Sequence, residues 1–98
     1  PYGYRVSWKN RTIGFSGDTE WNDNLPELAE ETDLFFMECY SGEKKIPFHT
    51  SISELKLKSD RLNTKRLLLT HMGDEVRQLA AAGKSPFEIA HDGQRIEI

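Results

Sequence analysis

The chain has 98 residues, enough for one small domain around one core. Hydrophobic residues make up 37% and charged residues 30%, so the core is thin and the surface highly charged. The net charge of -3 supplies no basic excess for a non-specific nucleic-acid surface, and leaves room only for an RNA substrate held by a local patch. Apolar runs recur along the length, which argues against disorder. None is long enough to span a bilayer, and no charged leader precedes an apolar stretch.

Tyr4-Arg5-Val6-Ser7-Trp8 and Arg11-Thr12-Ile13-Gly14-Phe15-Ser16 alternate at period two. Lys9-Asn10 between them includes a residue that tolerates positive φ, which predicts a hairpin. Gly14 within the second strand predicts a close backbone approach or a bulge. Asp23 or Asn24 can cap a helix from about Leu25 to Glu31, with Pro26 in its first turn and Leu25, Leu28 and Ala29 on one face. Leu34 to Cys39 is a continuous apolar run, the pattern of a strand covered on both faces. Ser41 to Phe48 reads as a polar loop.

Ser51-Ile52-Ser53-Glu54 has capping-box spacing, and Ile52, Leu55 and Leu62 recur on one helical face with Lys56, Lys58 and Asp60 outside. Arg66 to Thr70 is the next buried strand. Asp74 to Ala82 is a helix stopped by Gly83. Phe87-Glu88-Ile89-Ala90 and Arg95-Ile96-Glu97-Ile98 flank Asp92-Gly93, which predicts a second hairpin. The order predicts an α/β layer arrangement with a mixed sheet in one domain, without repeats or linkers. Cys39 is the only cysteine, so an internal disulfide is impossible. A buried free thiol in a reducing, cytoplasmic compartment is the expectation. The chain opens on Pro1 rather than methionine, and a longer precursor is expected.

Two strand ends carry chemistry. Ser16-Gly17-Asp18-Thr19 follows the second strand, and Leu67-Leu68-Leu69-Thr70-His71 closes the fourth. In an α/β sheet, ligands gather at the carboxyl ends of strands. A carboxylate at Asp18 and an imidazole at His71 are the donors of a hydrolytic zinc, manganese or iron centre. Two donors are too few to hold a metal alone. His49 ends the polar loop just before a helix and joins them as a candidate. Each has a plainer alternative: Asp18 as a turn cap, His71 as a hydrogen-bonded strand end, His49 as loop-to-helix entry with Thr50 or Ser51 as the cap. Glu38 closes a buried strand, where an unpaired carboxylate is costly. A structural role is expected for it, either hydrogen-bonded near the site or paired with a lysine. Trp8, Trp21 and Phe35-Phe36 read as core or rim, and Lys44-Lys45 as a solvated loop that can meet a substrate phosphate beside His49.

Gly17-Asp18-Thr19, Asp33-Leu34-Phe35-Phe36-Met37-Glu38, His49 and Leu68-Leu69-Thr70-His71, in this order, resemble the C-terminal half of the metallo-β-lactamase superfamily. The nearest branch is the ribonuclease Z-like and cyclic-phosphodiesterase-like one. The resemblance implies half of a four-layer αββα fold, with a mixed sheet and helices on one face. It places on Asp18 the role of bridging two zinc ions, on His71 that of a terminal ligand, and on His49 contact with the scissile phosphate and help to the leaving group. Manganese or iron are the alternatives to zinc. Ala90-His91-Asp92-Gly93 resembles the end of many members, but no catalytic role passes to His91.

The family's His-x-His-x-Asp-His motif and its next histidine are absent, so the N-terminal half is inferred to lie outside these residues. Met72-Gly73-Asp74-Glu75 stands where ribonuclease Z proper has Ser-x-Arg-Tyr, and no basic RNA-gripping insertion is visible. A smaller phosphodiester or another ester is therefore as good a substrate expectation as transfer RNA. The implied protein is a binuclear zinc phosphodiesterase whose fragment is inactive alone. The alternative is a non-catalytic interaction or dimerisation module; a stand-alone metal-binding domain fits least, because the donors lack dense spacing. A sheet face without its covering half should stay exposed and favour a homodimer.

Overall fold

The two alternating segments form β1 (Tyr4–Trp8) and β2 (Arg11–Phe15), antiparallel, with Tyr4 opposite Phe15 and Trp8 opposite Arg11. Lys9 and Asn10 have φ of 49° and 64°, the pair of positive values that a two-residue hairpin turn requires. This is a computed structural model, which describes residues 3–43, 49–91 and 93–97.

Helix α1 (Leu25–Ala29) is shorter than the pattern predicts. Its end is set from outside: Arg5 Nη1 donates to the carbonyls of Glu27, Leu28 and Glu30 at 3.0, 3.1 and 2.9 Å. Glu31 then turns the chain with φ 56°. Carbonyls at a helix end need such partners. At the other end Asn24 occupies the cap position without a side-chain cap bond, and the Asn22 side chain accepts from its N–H instead.

Strand β3 (Leu34–Glu38) lies parallel to β2, and β4 (Leu67–Thr70) lies parallel to β3. Between them runs α2 (Ile52–Lys58), whose N-cap Ser51 accepts from the Glu54 N–H at 3.1 Å as the capping box predicts. A 3-10 turn (Ser59–Arg61) follows, so Leu62 reaches the core from beyond the helix rather than on it. Helix α3 (Asp74–Ala81) ends before Gly83, which has φ +71°. The two-residue β5 (Glu88–Ile89) completes a sheet of order β1-β2-β3-β4-β5.

The second hairpin does not form as predicted. Its first arm joins the open edge of β4 in parallel, Leu69 opposite Ile89, and the Ala90 N–H donates to Leu69 O at 2.9 Å. The Gln94 N–H donates to His91 O at 3.1 Å, but residues 93–97 carry no strand. The sheet edge offers Ile89 apolar cover and unpaired backbone groups; Arg95, Ile96 and Glu97 have one apolar side chain to bury between two charges. Asp92 and Ile98 lie outside the described residues.

All three helices pack on one sheet face, as expected. Leu25 and Ala29 of α1, Ile52 and Leu55 of α2, and Val76 of α3 meet Phe35, Met37 and Leu69 of the sheet. Gly14 permits this approach, since a Cβ there would lie 2.6 Å from the Phe35 ring and 3.0 Å from Leu28 O. The register places Tyr4, Val6, Trp8, Ile13, Phe15, Leu34, Phe36 and Leu68 on the opposite face. No described helix joins the core from this side; Leu34 and Leu68 are nonetheless buried there, and the open part is the β1 row. Trp8, expected in core or rim, is 72% exposed there, and Val6 54%. Among the described residues, no helix is long and apolar enough to cross a membrane.

Candidate active site

Strands β2, β3 and β4 run parallel, so their carboxyl ends open on one edge of the sheet. Beyond β2 the pairing continues for one residue: the Ser16 N–H donates to Phe36 O, and Ser16 Oγ accepts from the Glu38 N–H, both at 2.9 Å. Gly17 then turns with φ 68° and presents Asp18 to solvent. At the end of β4, His71 takes φ 52°. A left-handed backbone on a residue with a Cβ costs on the order of 1–2 kcal/mol. The turn brings His71 Nδ1 to 3.4 Å from Asp18 Oδ1, with both side chains substantially exposed.

The third candidate is fixed by a buried acid. Glu38 has no solvent exposure. One of its oxygens accepts from the N–H groups of Tyr40 and Thr50 at 3.1 and 3.0 Å; the other lies 2.5 Å from His49 Nδ1. Burial pushes the Glu38 carboxyl above its usual range, against the Thr50 N–H and His49, which pull it down. The segment is anchored further by Tyr40 N–H to Thr50 O at 3.0 Å, and by the Thr50 hydroxyl to Thr19 O at 2.8 Å. With Nδ1 committed to Glu38, Nε2 is the ring nitrogen that His49 can offer a substrate.

Tyr40 completes the group. Its ring centroid lies 4.9 Å from that of His49 and 5.8 Å from that of His71, and the two imidazoles are 5.4 Å apart and 19° from parallel. Thus the structure brings Asp18, His71 and His49 together at one edge. Of the two expectations for Glu38, hydrogen bonding near the site is what the structure shows, and the lysine pairing does not form among the described residues; its side-chain partner is His49. The signal was available: a carboxylate closing a fully apolar strand must find donors. Tyr40 was missed, and nothing in its neighbours along the chain marks it. His91 is exposed, and Lys44-Lys45 lie outside the described residues.

Asp18 and His71 suit part of a metal shell: an oxygen and a nitrogen donor, converging and open to solvent. Among the described residues, no cluster of three or more metal-capable side chains forms.

Solved structures share this arrangement of sheet and helices. The metallo-β-lactamase-fold protein YhfI from Bacillus subtilis superposes with a TM-score of 0.79 over 98% of this chain, at 24% identity. The chain carries part of the metallo-β-lactamase fold. A diphosphatase of the PhnP family matches 88% of the chain with a TM-score of 0.71 and 20% identity. The chain spans 44% of the first and 35% of the second. No protein-family model and no curated protein matches it. The portion of the metallo-β-lactamase fold present here holds both the Asp18–His71 contact and the Glu38–His49 pair on one strand edge.

Proposed function

We propose that this chain is the C-terminal part of a metal-dependent hydrolase acting on a phosphodiester or a related ester, of ribonuclease Z-like or cyclic-phosphodiesterase-like type. The observation that carries the reading is the convergence of Asp18 and His71, 3.4 Å apart, beside a histidine already oriented by a buried carboxylate. Likeness in fold to a diphosphatase supports phosphorus-ester chemistry.

In this reading the Asp18 carboxylate and one ring nitrogen of His71 would help hold the metal, zinc by preference with manganese or iron as alternatives. When bound, the ions supply Lewis-acid polarisation of water and of the phosphoryl oxygens. His49 holds a proton at Nε2 and delivers it to the leaving oxygen, while Glu38 keeps Nδ1 and the ring plane fixed. The remaining ligands come from an N-terminal half outside these residues. A His-x-His-x-Asp-His segment upstream of Pro1 is therefore expected.

The test is metal content and turnover with phosphodiester, lactone and thioester panels, on the full-length protein and on the 98-residue chain. Full-length protein should hold metal and turn over one ester class. Asp18→Ala should lower that turnover by about 100-fold or more while leaving the fold. Near-normal activity of that variant, or robust turnover by the chain alone, overturns the assignment.

A further inference from the structure

Three ring centroids at 4.9, 5.4 and 5.8 Å make a nearly equilateral triangle. A linear stack would place its outer rings about twice as far apart as neighbours; here Tyr40 and His71 each stack on the His49 ring and lie tilted against one another. Tyr40 is the member with no proton to give the substrate in the proposed reaction and no place in a metal shell. Its backbone is held at both ends. Its N–H is on Glu38 and on Thr50 O, and its carbonyl accepts from the Gly73 N–H at 2.8 Å. Its ring rests on Gly73: a Cβ there would lie 3.2 Å from Tyr40 Cζ and 2.6 Å from Tyr40 O.

Glu38 fixes one point of the His49 ring, Nδ1. One hydrogen bond leaves the ring free to tilt about the axis through that atom. A flat neighbour at 4.9 Å and 29° restricts the tilt. We infer that Tyr40 is a positioning residue, whose ring holds the His49 imidazole in the plane from which Nε2 reaches the leaving oxygen. The inference rests on the proposed role of His49 as the acid. It assigns the effect to the ring and none to the hydroxyl, for which no hydrogen-bond partner exists among the described residues.

The test uses the full-length protein and two phosphodiesters, one releasing para-nitrophenolate and one a simple alkoxide. An acid matters little to the first and much to the second. His49→Ala should therefore lose far more rate on the alkoxide ester. Tyr40→Ala should show the same bias, with kcat on the alkoxide ester down about 10- to 100-fold and KM little changed, because misplacement of a catalytic group alone has costs of this order. Tyr40→Phe should behave as wild type. The Tyr40→Ala/His49→Ala double variant should lose no more than His49→Ala, since both act through one group. Tyr40→Leu, which fills the space without a flat ring, replaces the alanine variant if that one unfolds, and the same bias is expected.

Equal losses on both esters, a Tyr40→Phe variant as poor as Tyr40→Ala, or additive losses in the double variant overturn the positioning role. If His49→Ala itself shows no leaving-group bias, the acid assignment falls and the Tyr40 inference with it. A His49 bias without a Tyr40 bias removes the inference alone.

Discussion

His49 Nδ1 stands 2.5 Å from Oε1 of Glu38, a carboxylate with no solvent exposure. The acid's donors come from Tyr40, His49 and Thr50. Glu38→Gln keeps the shape and removes the charge. It should lower full-length turnover by about 10- to 100-fold, the order of loss that misplacing a catalytic group brings. Unchanged turnover would show that His49 does not depend on this orientation.

The same acid sets a pH signature. Burial raises the Glu38 pKa in the folded state above its ordinary value of 4.5. A raised folded value means the native state binds the proton more tightly than the unfolded one. The stability from this group is therefore complete below the ordinary carboxylate range and is lost as pH rises through the elevated value. Denaturant titrations from about pH 4 to about pH 8 should show wild-type stability declining relative to Glu38→Gln across that window. A relative rise would mean that the hydrogen bonds outweigh desolvation.

His71 combines a proposed ligand with an unfavourable backbone, φ 52°. Strain of this kind collects at functional sites. His71→Gly relieves it and should raise or preserve thermal stability, by up to about 1 kcal/mol, while lowering the metal content of the full-length protein. Asp18→Ala should lower metal content without the gain in stability. Metal removal by a chelator should abolish turnover, and zinc should restore it in wild type but not in Asp18→Ala. A His71→Gly variant that is less stable with full metal content would show that the ring serves packing.

Parts of this were legible along the chain because they depend on local rules. Alternation gave β1 and β2, an apolar run gave β3, Ser51 and Glu54 gave the start of α2, and parallel strands then forced Asp18 and His71 to one edge. The misreadings share another origin. Arg5 shortens α1 from 22 to 25 residues away, and the open edge of β4 captures Ile89 before a hairpin can form. The Tyr40–His49–His71 cluster joins residues that follow β3, precede α2 and follow β4, so no spacing in the sequence encodes it.

Cys39 sits at the base of the same edge, fully buried; burial, with the Glu38 charge beside it, pushes its thiol up to about 12 from 9.0. Thiolate is the reactive form, and a rise of this size thins it roughly a thousandfold. Thiol reagents at neutral pH should label Cys39 only as fast as the chain unfolds, and labelling should follow the denaturation curve. Rapid labelling of native protein would show an open path to this strand.

The open β1 side of the sheet face decides how the 98-residue chain behaves alone. Tyr4, Val6 and Trp8 are 63%, 54% and 72% exposed in one row, and the row continues through Ile13, Phe15 and Phe36, whose ring stacks on Phe15 at 5.1 Å. The polar limit of the face is the Arg66–Glu88 ion pair beside Leu68. An apolar row this continuous is rarely left to water in a soluble protein. At about 25 cal/mol per Å² of apolar area removed, covering even a few of these side chains favours association by several kcal/mol before the entropy of association is subtracted. We therefore predict that the isolated chain forms a homodimer or larger species through this face, and that Val6→Lys with Trp8→Lys returns it to monomer in sedimentation analysis. These positions are exposed, so fold stability should change little. In the full-length protein the same pair should instead destabilise, because the proposed N-terminal half packs there. A double variant that leaves both the oligomeric state of the chain and the stability of the whole protein unchanged would show that neither partner uses this surface.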